Sequence, residues 1–276
     1  MSHKTLVNGT SYEISGGKTL VNGTAYSISG GKTLVGGTAY SIGLGTGTPI
    51  GDLAVGSSVF MNVNGVSTEF IVIHQGLPDT TFYDTSCDGA WLLMKDLYTN
   101  TFVLGSDNYD YGNSYIHAYL NGEFAGLLDT NIQSAIKQVK IPYSKVIKSN
   151  TSIFSGANGL STKIFLLTGK EVGADIVTYV SYRTIPDDGE KLDYFTFGFD
   201  TTANDLRKAY YNGSCINWWL RCPIEGSTFR AWYVNNSGGF SAANCTSSNS
   251  NFICGIRPAM ILPSDTKIDE NFNVIA

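Results

Sequence analysis

NWWLRCP, residues 217–223, packs two adjacent tryptophans, an arginine and a proline into one short run, yet the segment that follows, GSTFRAWYVNNSGGFSAANCTSSNSNF (226–252), is rich in Gly, Ser and Asn. A strand sends neighbouring side chains to opposite faces, so at least one of Trp218 and Trp219 must be internal. The pair reads as core and not as a sugar-stacking platform. Arg221 in this run and Arg257 in GIRPAMIL (255–262) are charges in apolar settings, where an arginine needs carbonyl or carboxylate partners to offset its desolvation. The heaviest aromatic pair of the chain is thus a strand that supports a looser segment.

Working outward from that strand, SSVFMNV and STEFIVIHQG alternate as strands about an Asn64-Gly65 turn, and WLLMKDLY and TFVLG continue apolar and are expected to pair. From Ser114 the period changes. SYIHAYLNGEF and TNIQSAIKQV space Ile116, Leu120, Phe124 and Ile132, Ile136, Val139 at helical intervals, with Asp129 or Thr130 as the cap of the second helix. KIFLLTGKEVG reads as a buried strand entering a helical turn, and NDLRKAYYNG returns towards the surface. Early helices followed by a C-terminal third of strand and loop make the expected class α+β.

The first 45 residues are a threefold repeat, KTLVNGTSYEISGG, KTLVNGTAYSISGG and KTLVGGTAYSIGLG, with a period of 14. Each unit flanks Asn-Gly or Gly-Gly with apolar runs and reads as one β-hairpin. A lone hairpin is marginal in water, so these units are expected to bury Leu6, Val7, Tyr12, Ile14 and their copies against one another or against other chains, with a homotrimer as the expected assembly. The repeated GGKT is no phosphate loop, because Tyr12 and Tyr26 stand where its first glycine belongs. Residues 46–51 read as a linker, and a second domain is expected over 52–276.

Composition narrows the classes of function. Hydrophobic residues are 42% and charged residues only 15% of the 276, with a net charge of -5, enough for a buried core and without the clustered basic face of a nucleic-acid binder. No window is long and apolar enough to span a membrane, and the N-terminus MSHKTLVNG lacks the apolar region of a signal peptide, so synthesis in the bacterial cytoplasm without membrane insertion is expected. Five cysteines without C-x-x-C spacing read as free thiols. Neither G-x-S-x-G nor H-E-x-x-H occurs. Cys87 with His74 or His117 is the one thiol–imidazole pairing to weigh, and a packed histidine is the preferred reading of each. Asp84, Asp88, Asp107 and Asp110 match no EF-hand spacing and read as acidic turns. No enzyme activity, cofactor or metal site is expected.

NWWLRCP, AWYVNNSGG and GIRPAMIL together resemble the WWLRSP, glycine-turn and GVRPAL signature of a family of C-type-lectin-fold domains from gut phages and bacteria, which includes variable proteins of diversity-generating retroelements. NSYIHAYLNGEF and KIFLLTGKEVG are similar to that family's upstream helix and strand, so the resemblance spans most of 52–263. It implies a C-type-lectin-like domain that presents a variable surface near its C-terminus, at the tip of a phage or prophage tail. The implied partners are a host-cell surface protein or glycan and other virion tail proteins. Adenine-directed mutagenesis of AAY codons cannot produce Lys, Glu, Gln, Met or Trp, and 226–254 contains none of the first four. Its single Trp232 then reads as a fixed scaffold position beside Trp218, Trp219, Arg221 and Arg257. The expected ligand-binding face is Ser227, Thr228, Phe229, Arg230, Tyr233, Phe240, Ser241, Asn244, Thr246, Asn249, Asn251 and Phe252. A mixture of aromatic anchors with short polar side chains suits a paratope-like surface. The alternatives are a cell-wall-modifying enzyme of the tail and a relative of formylglycine-generating oxidases, which would need Cys245 and Cys254 as a close pair. The Glu-Pro-Asn and Gln-Pro-Asp motifs of calcium-dependent sugar binding are absent.

Overall fold

The computed structural model describes residues 47–275 except 100, 106–108, 175–183, 199 and 246–253, together with the backbone of the strands within residues 3–42. Two compact units divide the chain, Met1–Gly47 and Thr48–Ala276. In the first, His3–Val7 pairs with Thr10–Ile14, Lys18–Val21 with Thr24–Ser27, and Gly31–Val35 with Thr38–Ile42, all antiparallel. Each 14-residue repeat is therefore one hairpin. The second unit begins earlier than Asp52: Thr48–Pro49 pairs with Lys267–Ile268, and Ile50 is buried.

The second unit is built on a five-stranded antiparallel sheet in the order Ile164–Phe165, Ala259–Leu262, Ala90–Met94, Val66–Gln75, Ser58–Val63. Asn64 and Gly65 both have positive φ (53° and 74°), as a two-residue hairpin turn requires. Every side chain of Ala90–Met94 is buried, because the sheet separates two apolar cores. Leu92, Met94, Val59, Phe70 and Met260 face one core, which the helical residues Ile116, Leu120, Phe124, Ile132 and Ile136 also fill. Trp91, Leu93, Ile71, Phe165 and Ile261 face the other.

An α+β C-type-lectin-like domain is not what the chain forms. The second unit is mostly short strands in small antiparallel sheets, and its α-helices, Tyr115–Tyr119, Thr130–Ala135 and Thr201–Arg207, are only 5, 6 and 7 residues long among the described residues. The helical spacing is real but brief. Ser114 caps the first helix by accepting from the His117 amide, after which the backbone widens into a π turn at Leu120–Phe124 and tightens into a 3-10 turn at Ala125–Leu127. Gly122 and Gly126, poor helix formers, lie in this stretch. Asp129 precedes the second helix, but its carboxylate accepts from Asn62 Nδ2 (2.8 Å) and leaves the helix amides without a side-chain cap. TFVLG joins no ladder. Its amides at Phe102 and Gly105 instead donate to the carbonyls of Cys254 and Cys245 (both 2.9 Å).

Candidate functional site

The Trp218–Pro223 strand is the edge of a three-stranded sheet with Arg230–Val234 and Phe240–Asn244, and all six of its residues are buried. Alternation divides it between the two cores: Trp219 packs into the first, and Trp218, Leu220 and Cys222 into the second with Trp232, Val234 and Phe240. Both tryptophans are thus internal. Trp218 Nε1 donates to the Arg207 carbonyl (2.9 Å) and Trp219 Nε1 to that of Phe102 (2.7 Å). Gly255 runs alongside Trp218, and a Cβ there would meet the Thr99 carbonyl at 2.0 Å, so only glycine allows this approach.

Three buried arginines tie loops to this sheet. Arg221 forms a two-pronged pair with Glu171 (2.6 Å at each nitrogen) and also donates to the carbonyls of Leu166 (2.7 Å) and Pro142 (3.0 Å). Arg257 donates to Met94 and Lys95 carbonyls (both 2.9 Å) with its guanidinium over the Trp218 ring. Arg207, which the sequence reading did not single out, donates to carbonyls of Gly238 (2.8 Å) and Gly198 (2.7 Å) and lies over Phe240. Burial lowers the pKa of Arg207 and of Arg257 to about 10, while Glu171 holds Arg221 charged against the same penalty.

Glu171 is itself fully satisfied, accepting also from Tyr83 Oη (2.9 Å) and the Thr168 amide (2.9 Å). Beside it, buried Asp188 accepts from Ser144 Oγ (2.5 Å) and from Thr168 Oγ1. Burial pushes the Asp188 carboxyl up to about 6 from 3.8. The neutral acid is the form the fold prefers, so the stability it contributes is complete below about pH 4 and is lost as pH rises through about 6, a change of about 2–3 kcal/mol. Asp188→Asn keeps one acceptor and gains a donor for Ser144. Its stability relative to the parent is therefore expected to rise by about 2 kcal/mol between pH 4.5 and pH 7.5, the part of that change lying in this window, as read by denaturant midpoints. A difference that stays flat with pH would mean Asp188 does not titrate there.

The thiol–imidazole pairing does not form. Cys87 Sγ donates to the Lys140 carbonyl (3.3 Å), His117 Nε2 lies 3.3 Å from Thr162 Oγ1, and His74 Nδ1 lies 2.8 Å from Asp193 Oδ2. Burial pushes the Cys87 and Cys222 thiols up to about 12, away from the thiolate a nucleophile needs. Cys245 and Cys254 are buried and unbridged. Asp84 and Asp110 cap turns through the amides of Ser86 and Gly112, and Asp110 also pairs with Lys145 (2.8 Å). Asp107 lies outside the described residues.

The expected binding residues separate into groups. Ser227, Thr228, Phe229 and Arg230 line one open cleft of about 300 Å³ with Ser149, Ile224, Glu225 and Gly226. Phe229 is 46% exposed, and the Arg230 guanidinium lies 5.5 Å from its ring centre. Asn244, exposed at the strand end, pairs in register with Arg230. Tyr233 and Ser241 pair in register and are half-buried, Tyr233 packing edge-on against Trp219 (6.0 Å). Phe240 does not belong to a contact surface: it is 1% exposed, beneath Arg207, because its side of the strand faces the second core. Thr246, Asn249, Asn251 and Phe252 lie outside the described residues. The segment they belong to starts and ends at Cys245 and Cys254, whose carbonyls are the ones held by Gly105 and Phe102.

Ser149 carries no signal in the sequence that would join it to Gly226. It reaches the cleft through the hairpin Tyr143–Ile147 and Asn150–Phe154, whose turn residues Lys148 and Ser149 have positive φ (48° and 66°). Thr151 Oγ1 of that hairpin accepts from the Gly226 amide (2.9 Å), which fastens the two walls together.

No curated protein matches the chain, and no solved structure does. A family model described as a domain of unknown function, DUF6273, matches residues 88–264, from the turn before the central strand of the large sheet to just past the strand of GIRPAMIL. That span takes in the buried arginine network, both cleft walls and the whole three-stranded sheet, and on it the chain belongs to the DUF6273 family.

Proposed function

We propose that the chain is a receptor-binding protein, of the kind carried on a phage or prophage tail, that displays a variable ligand-binding surface on a rigid support. The observation that carries this reading is the position of Ser227, Thr228, Phe229 and Arg230. They line an open cleft directly between two strands that are locked into the buried cores. Residues at such a turn can change with little cost to the fold, since their neighbours, not they, supply the packing. The absence of Lys, Glu, Gln and Met from 226–254 supports diversification of the same segment by adenine replacement. The hairpin repeats suit assembly, and linking several copies would raise weak single-site binding by about a hundredfold or more.

Exchange of residues 227–252 between two natural variants of this gene tests the reading. With the labelled chain applied to a panel of bacterial strains and binding read by flow cytometry, strain preference is expected to move with the exchanged segment. Preference that stays with the remainder of the chain, or binding to no strain by either variant, would refute it.

A further inference from the structure

We propose that the cleft between the 147–150 turn and the 224–229 turn is a subsite for a saccharide that carries a carboxylate. This rests on the reading of that turn as a recognition surface and adds the chemistry of what it takes.

Arg230 is half-buried, and no side-chain hydrogen bond or ion pair joins it to another described residue; its one contact of note is the Phe229 ring. The contrast within the molecule is sharp. Arg207, Arg221 and Arg257 each direct their guanidinium at several carbonyls or at a carboxylate. A guanidinium held near the surface with its fork unfilled is suited to a planar two-oxygen anion. Beside it, Ser227 Oγ is buried and has no hydrogen-bond partner. That hydroxyl lies behind the cleft surface, out of reach of a ligand oxygen, so it takes no part in the subsite. Phe229, with nearly half its surface exposed, offers an apolar face of the kind that packs on the C–H face of a sugar ring.

The volume limits the ligand further. About 300 Å³ is the small end of the range for ligand sites, which suits one sugar unit and not an extended peptide. The cleft lining carries one acid, Glu225, and one base, Arg230, and their exposures differ. Glu225 is exposed at the rim, where solvent and salt screen its repulsion, whereas half-buried Arg230 acts at lower dielectric.

The test is titration of the full-length chain with glucuronate, galacturonate and N-acetylneuraminate. Glucose, glucuronamide and acetate serve as controls, and binding is followed by ligand-observed NMR. At least one acidic sugar is expected to bind at least about tenfold more tightly than the neutral sugar, the amide and acetate, the size of effect one charge-assisted two-pronged contact produces. Arg230→Gln should remove that preference, and Arg230→Lys, which keeps the charge but not the two-pronged fork, should retain only part of it. Should Arg230→Gln fail to fold, the lysine variant carries the comparison. Equal binding of acidic and neutral sugars would overturn the proposal, and so would acetate binding as tightly as the sugars, or no acidic sugar binding at all. Cell binding that moves with 227–252 in the absence of acidic-sugar binding would remove this inference and leave the receptor-binding reading standing.

Discussion

Trp218→Ala is expected to destabilise the chain by about 3–5 kcal/mol, a large share of a domain's total stability. The side chain is fully buried, so truncation leaves a cavity in the second core that its neighbours can close only in part. Two polar groups each lose one of their contacts as well. The Arg207 carbonyl no longer receives the indole N–H, and the Arg257 guanidinium loses the ring face it lies over. Trp219→Ala, which opens the first core instead and frees the Phe102 carbonyl, should cost a comparable amount. Phe229→Ser, one loop away and half exposed, should move stability by less than about 0.5 kcal/mol. Equilibrium urea unfolding of the three variants separates support from surface. A Trp218→Ala loss below about 1 kcal/mol, or a Phe229→Ser loss as large as that of the tryptophans, would mean the two roles are wrongly assigned.

That strand is also where the sequence was most legible. Adjacent tryptophans in an alternating strand already imply two packed faces, and both faces are cores. Arg221 and Arg257 announced themselves as charges in apolar runs, and each has the carbonyl or carboxylate partners such a setting demands. The hairpin repeats and the Asn64-Gly65 turn were readable because they are local, set by a dipeptide that tolerates positive φ.

What was not legible depends on packing between distant segments. Helical spacing around Ile116 and Ile132 described which residues face inward but not how long the helices run, and short helices on a mostly β framework do not make an α+β domain. Phe240 sits in a Gly- and Ser-rich stretch that looks exposed, yet the NNSGG turn lies close beneath the Thr201–Arg207 helix. A Cβ on Gly238 would meet the Asn204 carbonyl at 2.0 Å, and Arg207 covers the Phe240 ring. Arg207 itself stands in a polar run, NDLRKAYYNG, that gives no hint of burial. The cleft needs Ser149 to meet Gly226, a contact between segments far apart in the chain that no local pattern encodes.

Removing one partner of the Arg221–Glu171 pair should be as damaging as removing a tryptophan. Both side chains are fully buried, and Arg221→Met leaves the Glu171 carboxylate with Tyr83 and an amide but no counter-charge. Breaking a buried pair in this way typically costs about 3–5 kcal/mol. Arg221→Met combined with Glu171→Leu removes both charges, so the double variant should recover much of the loss. The recovery will be incomplete, because the Leu166 and Pro142 carbonyls lose the Arg221 donor, and the Tyr83 hydroxyl and the Thr168 amide lose the Glu171 acceptor. Pro142 precedes the Tyr143–Ile147 strand, whose hairpin turn forms one wall of the cleft, so the pair also holds that wall in place. The single variant is accordingly expected to lose cell binding at temperatures below its melting point, while the double variant keeps the fold but binds less well than the parent. Urea unfolding and flow cytometry on the parent, both single variants and the double variant complete the cycle. Additive losses from the two substitutions would show that the charges are not coupled, and parent-level binding by the double variant would show that the wall does not depend on Arg221.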